Sequence, residues 1–144
     1  VTVLIGEYQH NIDAKGRLIV PSKLRDGLGD LFIATRGFDK CVVVYPMSVW
    51  TDFLEKIKQL PASSSDARRF KRFFTSNAAE CEVDAQGRIL LPQQLRDYAG
   101  LKKQIVSIGV GDRAEIWDKD LWDKYNDDTA LDEAFMEKMS ELGI

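Results

Sequence analysis

One fourteen-residue stretch is written twice in this chain, and that repetition limits its possible folds more than any other feature. Asp13-Ala14-Lys15-Gly16-Arg17-Leu18-Ile19-Val20-Pro21-Ser22-Lys23-Leu24-Arg25-Asp26 returns as Asp84-Ala85-Gln86-Gly87-Arg88-Ile89-Leu90-Leu91-Pro92-Gln93-Gln94-Leu95-Arg96-Asp97, 71 positions on and without a gap. Eight of the fourteen residues are identical, and the apolar places exchange only Leu, Ile and Val. Self-similarity at a fixed spacing marks a duplicated structural unit. In 144 residues it leaves two pseudo-equivalent halves of about seventy residues, each too small to bury much core alone. The halves are expected to share one.

The chemistry of the motif predicts its shape. Gly16 and Gly87 allow the positive φ of a tight turn. Residues 17–20 and 88–91 carry branched apolar runs that read as short buried strands. Pro21 and Pro92 end those strands and can open a helical turn, with Leu24 and Leu95 inward and Lys23, Arg25 and Arg96 nearer solvent. Asp13 and Arg17 stand four apart across the turn, as do Asp84 and Arg88. Each pair reads as a salt bridge closing the loop, or as a loop that holds its arginine out towards a polyanion. The two readings are compatible.

Composition narrows the functional classes. Hydrophobic residues are 44% and charged residues 30% of the chain, the balance of a water-soluble globular protein. No apolar run approaches the roughly 18 residues that span a bilayer, and no secretory leader is visible, so a cytoplasmic protein without a membrane role is expected. Cys41 and Cys81 lie forty residues apart, outside any Cys-x-x-Cys pair, and read as buried free thiols. His10 is the only histidine, and nothing singles out a nucleophile beside it. No catalytic residue, metal site or cofactor is assigned. The net charge of −3 argues against a general nucleic-acid coat, but its distribution matters more. Eleven acidic and four basic residues fall between Gly111 and Ile144. The cations gather in the first motif and at Arg68, Arg69, Lys71 and Arg72, so an acidic whole can carry a basic face.

In chain order, residues 1–5 are β-branched and apolar, and Tyr8, His10 and Ile12 alternate with polar residues into the first turn, as a strand does. Residues 31–35 and 41–45 read as a hairpin around the turn at 36–40. Ser48 is placed to cap a helix with Val49, Trp50, Phe53, Leu54, Ile57 and Leu60 at helical spacing. Residues 61–65 are a linker. A helix is expected from Asp66 to Phe74, its basic residues a solvated face or a phosphate contact. In the second half residues 78–83 lead into the motif, and Gly100 stops its helical turn. Residues 104–108 and 114–117 form a second hairpin around a turn at 109–113, and Asp118 caps the next helix. Tyr45, Trp50 and Phe53 recur 72 positions on as Trp117, Trp122 and Tyr125. The tail, 130–142, is acidic and amphipathic through Leu131, Phe135, Met139 and Leu142. It could pack on the body, dock on a neighbour or fray.

The pattern Asp-x-Lys-Gly-Arg-Leu-x-x-Pro-x-x-Leu-Arg at residues 13–25, repeated as Asp-x-x-x-Arg at 84–88, resembles the MraZ family. The preceding Gly6-Glu7-Tyr8-Gln9-His10 and the helix with Pro46 and Trp50 fit as well, so the likeness covers nearly the whole chain. It implies a bacterial transcriptional regulator of α+β, mainly β class. Two tandem AbrB-like repeats would interlock as swapped hairpins in a pseudo-twofold β-barrel with flanking helices. On that plan residues 1–60 are the first repeat, 61–76 a linker and basic helix, 77–129 the second repeat and 130–144 the acidic tail. The likeness also implies a nucleoid-associated ring homo-oligomer, octameric or dodecameric. It would bind double-stranded DNA at short direct repeats in the promoter of the division and cell-wall gene cluster, which includes its own gene.

Carried over position by position, the DNA-binding residues are Arg17 and Arg88, with Lys15 beside Arg17, and Lys23, Arg25 and Arg96 as secondary phosphate contacts. An Arg on such a loop can pair bidentately with guanine. Asp13, Gly16, Asp84 and Gly87 shape the loops. Gln86 replaces Lys15 and would offer a neutral hydrogen bond, and Gln93-Gln94 replace Ser22-Lys23. The halves are thus not expected to contribute equally: the first motif supplies most phosphate binding, or the second faces a subunit interface. A few cations per subunit bind DNA weakly and with strong salt dependence, which a ring reading several repeats offsets through effective concentration. The acidic C-terminal third would face away from DNA. A different class is an antitoxin-like protein-interaction module whose acidic tail holds a partner, although two fused halves are more than that role needs. An enzyme is a third reading, but no nucleophile, metal cluster or phosphate loop accompanies the Asp/Arg pairs.

Overall fold

The structure, a computed structural model, describes residues 3–129 and 131–144. Val1 and Thr2, where the first strand was expected to begin, lie outside the described residues, as does Ala130 at the head of the tail. β1 (Leu4–Asn11) alternates as its sequence predicts, with Leu4 buried and Tyr8 and His10 half-buried. After the first motif turn come β2 (Arg17–Ile19) and α1 (Ser22–Leu28), which buries Leu24 and Leu28. β3 (Leu31–Arg36) and β4 (Val42–Pro46) form the expected hairpin around a 3-10 turn at Phe38–Lys40. α2 (Met47–Lys58) and α3 (Ser65–Thr75) follow. The second half brings β5 (Ala79–Glu82), β6 (Arg88–Leu90), α4 (Gln93–Ala99), β7 (Gln104–Gly111), β8 (Ala114–Asp118) and α5 (Lys119–Asp128). α6 (Glu133–Glu141) forms the tail.

The two halves are interlocked. β1 pairs antiparallel with β7 from Leu4 opposite Gly111 to Asn11 opposite Gln104, and β5 pairs with β3. Each half lends its leading strand to the hairpin of the other. The β4–β8 pairing joins the hairpins, giving the order β1-β7-β8-β4-β3-β5. β2 and β6 pair with each other in a separate two-stranded sheet centred on Leu18 opposite Ile89. A single bridge, Ile12 to Leu18, ties β1 to β2, and among the described residues no ladder joins the edge strands β1 and β5. The class is α+β, mostly antiparallel sheet, and these pairings alone do not close a barrel.

One core serves both halves, as their size requires. Leu18, Val20, Leu24 and Phe32 pack in one cluster with Ile89, Leu91, Leu95 and Ile105. Two satellite clusters hold the hairpin-following helices, and they are built from the recurring aromatics. Tyr45 stacks on Phe53 with centroids 5.6 Å apart, and Trp117 meets Tyr125 at 4.9 Å. Both cysteines are buried and free, as expected.

Several expected element ends move. The turn predicted at 109–113 is only Asp112-Arg113, because β7 continues to Gly111. A Cβ at Gly109 would lie 2.4 Å from the backbone of Leu4 and Ile5, so this glycine serves the close approach of β1 rather than a turn. Ser48 does not cap α2. The helix begins at Met47, and the residue before it, Pro46, at φ −53°, makes no side-chain cap. Pro21 and Pro92 likewise stand just before α1 and α4 instead of inside them. α3 starts one residue early because the Ser64 hydroxyl accepts from the Ala67 amide at 3.2 Å. Asp118 and Gly100 act as expected: the Asp118 carboxylate accepts from the Leu121 amide, and Gly100 ends α4 at φ 63°.

Candidate nucleic-acid interface

The two Asp-x-x-x-Arg turns have the same wiring. In the first, Asp13 Oδ1 accepts from the Lys15 and Arg17 amides at 3.0 and 2.9 Å, and Oδ2 from Arg17 Nε at 2.7 Å. In the second, Asp84 Oδ1 accepts from the Gln86 and Arg88 amides, both at 2.9 Å, and Oδ2 from Arg88 Nε at 3.1 Å. A backbone pair closes each loop: the Gly16 amide donates to Asp13 and the Asp13 amide to Arg17, with the same at Gly87, Asp84 and Arg88. The carboxylate therefore organises a whole turn, and the accompanying ion pair, about 40% exposed on both sides at Asp13 and Arg17, adds little in water. The hydrogen bonds from the Arg17 backbone and side chain, with that charge beside it, hold the Asp13 carboxyl down at about 2. The same causes lower Asp84. Both loops stay ionised and closed at any neutral pH.

Folding adds what the repeat alone does not say. β2–β6 pairing sets Arg17 opposite Leu90 and Ile19 opposite Arg88. Leu18 and Ile89 point into the core, so Arg17, Ile19, Arg88 and Leu90 share the outer face of one ribbon, with Ile19 and Leu90 each 60% exposed. Arg17 and Arg88 border one shallow depression of about 300 Å³, together with Lys103. The two half-motifs make one surface. Their arginines are not equivalent on it. Arg88 donates through Nη2 to Gln86 Oε1 at 2.6 Å, whereas the terminal nitrogens of Arg17 have no partner among the described residues.

The secondary cations fall into two groups. Lys15 and Lys23 are exposed. Arg25 and Arg96 reach across to the other half. Arg96 Nε donates to the Leu91 carbonyl at 3.0 Å and lies against Gly16, and Arg25 lies against Gly87. At Gly16, φ 93°, an added Cβ would stand 2.6 Å from Arg96 Nε and 2.7 Å from the Leu91 carbonyl oxygen, whereas at Gly87 the nearest atom, Arg25 Nη1, would be 3.0 Å away. Lys103 is the residue that the sequence reading missed. Its backbone carbonyl receives the Ile12 amide, as that of Asp30 receives the Val83 amide, so the two positions are pseudo-equivalent and opposite in charge. That reversal was the available signal.

Comparison with known proteins decides the lineage. The family model described as "MraZ protein, putative antitoxin-like" matches twice in succession, at residues 3–73 and 74–142. The chain belongs to the MraZ family. It is 55% identical over 139 residues, 96% of both chains, to the transcriptional regulator MraZ of Desulforamulus reducens. It is 58% identical over 123 residues to that of Natranaerobius thermophilus, covering 85% of this chain and 86% of the relative. The figure for Clostridium beijerinckii is 52% over 142 residues, 99% of this chain and all of the relative. The paired turns on the β2–β6 ribbon are thus this chain's form of a doubled MraZ unit. Among the described residues no group of metal-ligating side chains is assembled, and no helix is long and apolar enough to cross a membrane.

The sole histidine is structural. His10 Nε2 lies 2.7 Å from Ser107 Oγ across the β1–β7 pair, and Nδ1 is buried without a partner. Burial pushes the imidazole below its ordinary value of 6.5. A group whose folded value is depressed lends stability above its unfolded value and loses it as pH falls through and below it. Lys119 lines a separate hollow with His10 and is paired with Asp123. Urea midpoints are expected to fall as pH drops from about 7 to 5, and His10→Gln to flatten that slope. An unaltered slope in His10→Gln would reject the assignment.

Proposed function

We propose that this protein is a DNA-binding regulator of transcription in which the β2–β6 ribbon is the reading surface. The observation that carries the proposal is the pairing of the two motifs, which places Arg17 and Arg88 on one exposed face with Lys103 beside them. Arg17 makes the leading contact because its terminal nitrogens are uncommitted; a guanidinium so placed suits a phosphate or a guanine edge. Arg88 follows, held by Asp84 and Gln86, and Lys15 and Lys23 add phosphate contacts. Arg25 and Arg96 serve chiefly by bracing the partner turns. The target is double-stranded DNA carrying short direct repeats upstream of the division and cell-wall genes, the chain's own gene among them. The reader is a ring of identical subunits, in the cytoplasm at the nucleoid. The swapped-hairpin barrel belongs to the same reading, with β2–β6 spanning from β1 towards β5. The names of the relatives support the regulatory role.

The test is a titration of the protein against the region upstream of its own gene and against a shuffled duplex of equal length, at several salt concentrations. Selective binding that Arg17→Ala removes in a folded protein is the expected result. Equal, weak binding to both duplexes would reject the proposal. Asp13→Ala is expected to weaken binding indirectly, by about threefold to tenfold, as the turn loosens around Arg17. Unchanged affinity in that variant would show that the turn holds its shape without the carboxylate.

A further inference from the structure

A cavity of about 410 Å³ lies away from the ribbon, between α2, the linker after it and α3. Its floor is apolar, built from Ile57, Leu60 and Pro61, and its rim is formed by Lys58, Arg68, Lys71 and Arg72. Glu55 pairs with Lys58 at 3.1 Å, and Arg68 donates to the Ala62 carbonyl at 2.9 Å. Lys71 and Arg72 make no side-chain bond among the described residues, and no carboxylate lines the cleft.

At the other end of the chain a complementary surface is partly exposed, with Met139 half-buried and Phe135 39% exposed. α6 is a capped helix, with the Asp132 carboxylate accepting from the Phe135 amide at 2.9 Å. No residue of it is buried. Leu131 and Leu142 are 72% and 73% exposed. Phe135 and Met139 lie a turn apart on one side of the helix, with Leu131 just before its cap and Leu142 at its end, while Glu137 and Glu141 follow one another a turn apart beside them. An exposed apolar helix face next to like charges is a docking element in search of a groove. A groove of opposite charge and matching length is present: nine residues of α6 span about 14 Å and the eleven of α3 about 17 Å.

We infer that α6 of one copy of this chain docks in the α2–α3 cleft of a second copy, its apolar row on Ile57 and Leu60 and its carboxylates against Lys71 and Arg72. The cleft and the tail are different patches of one molecule, so the contact is heterologous and propagates from subunit to subunit until it closes on itself. Charge selects the partner and its direction, and salt weakens it. The inference rests on the assembly part of the proposed function and is independent of DNA binding.

A charge exchange tests it. Lys71→Glu/Arg72→Glu reverses the cleft and Glu137→Lys/Glu141→Lys reverses the tail. Masses are measured by sedimentation at low salt, with folding followed by circular dichroism. Wild type is expected as a multiple of the chain mass, and each variant alone at no more than half the wild-type mass. An equimolar mixture of the two is expected to recover it, because each tail then finds a cleft of opposite sign. If a charge variant fails to fold, Leu131→Ser/Leu142→Ser takes its place and must lower the mass equally. Wild-type mass in both variants, including the case of a tail folded back on its own cleft, overturns the inference while leaving assembly intact. So does a mixture that does not recover. A wild-type protein of single-chain mass overturns the assembly reading as well.

Discussion

Gly109→Ala is expected to be the most damaging single-methyl substitution in this chain, lowering stability by about 3 kcal/mol. The added carbon would lie 2.4 Å from both Leu4 C and Ile5 N and 2.7 Å from Ile5 Cα. Those are backbone atoms of β1, and they cannot rotate away as a side chain can. Relief requires β1 to move off β7, which breaks the eight-residue pairing that joins the first half to the second. Gly111 and Gly29 supply the controls. Both have positive φ, 108° and 80°, but an added Cβ meets nothing within 4 Å, so their alanine variants should lose only about 1 kcal/mol through backbone strain. Urea unfolding of the three variants distinguishes the cases, and amide exchange should show residues 4–11 loosened in Gly109→Ala alone. Equal midpoints for Gly109→Ala and Gly111→Ala would mean that β1 does not approach β7 as described.

The second large effect is on binding. Removing both Arg17 and Arg88 is expected to weaken binding to the operator by about a hundredfold to a thousandfold, since each well-placed arginine contact is worth about 1–3 kcal/mol. Losing phosphate contacts also flattens the salt dependence, by about 0.9 in the log–log slope per contact. Arg17→Ala should cost more than Arg88→Ala, because Gln86 already occupies one end of the Arg88 guanidinium. The two single effects should also fail to add, as residues on one ribbon face share a ligand. Additive losses from a double-mutant cycle would place the two arginines on separate DNA contacts and would count against a common surface.

Much of the site was legible in the residues. The spacing of Asp13 and Asp84 suggested their ion pairs with Arg17 and Arg88, which form, though not the amide bonds that organise each turn. Gly16 and Gly87 take the positive φ that those turns need, 93° and 79°. The ion pairs and the glycine turns lie within four or five residues, and residue type and spacing suffice to specify them. The packing of Arg25 and Arg96 was not legible: nothing within a motif specifies that each lies against the glycine of the other copy. Lys103 escaped because it lies outside both motifs and joins the site only through the β1–β7 register. Gly109 escaped for the same reason: two glycines one residue apart, Gly109 and Gly111, suggest a turn locally, and only the arriving strand shows that Gly109 makes room for a backbone.

The sequence by itself determined the duplication, the turn chemistry and the aromatic clusters at a spacing of 72, Tyr45 with Phe53 and Trp117 with Tyr125. All of these follow from short-range geometry or from counting positions. Only the tertiary structure decided the partners and register of the exchange that the family resemblance implied, β1 with β7 and β5 with β3. Residues 4–11 offer the same alternating face to either hairpin, and the pattern of apolar positions carries no preference between them. The exchange is settled by shared burial, in which Leu18 and Ile89 meet at the centre of a ribbon that neither half can build alone. From that exchange comes the common face for Arg17 and Arg88, because side-chain direction on a strand is dictated by its partner and by the core beneath it.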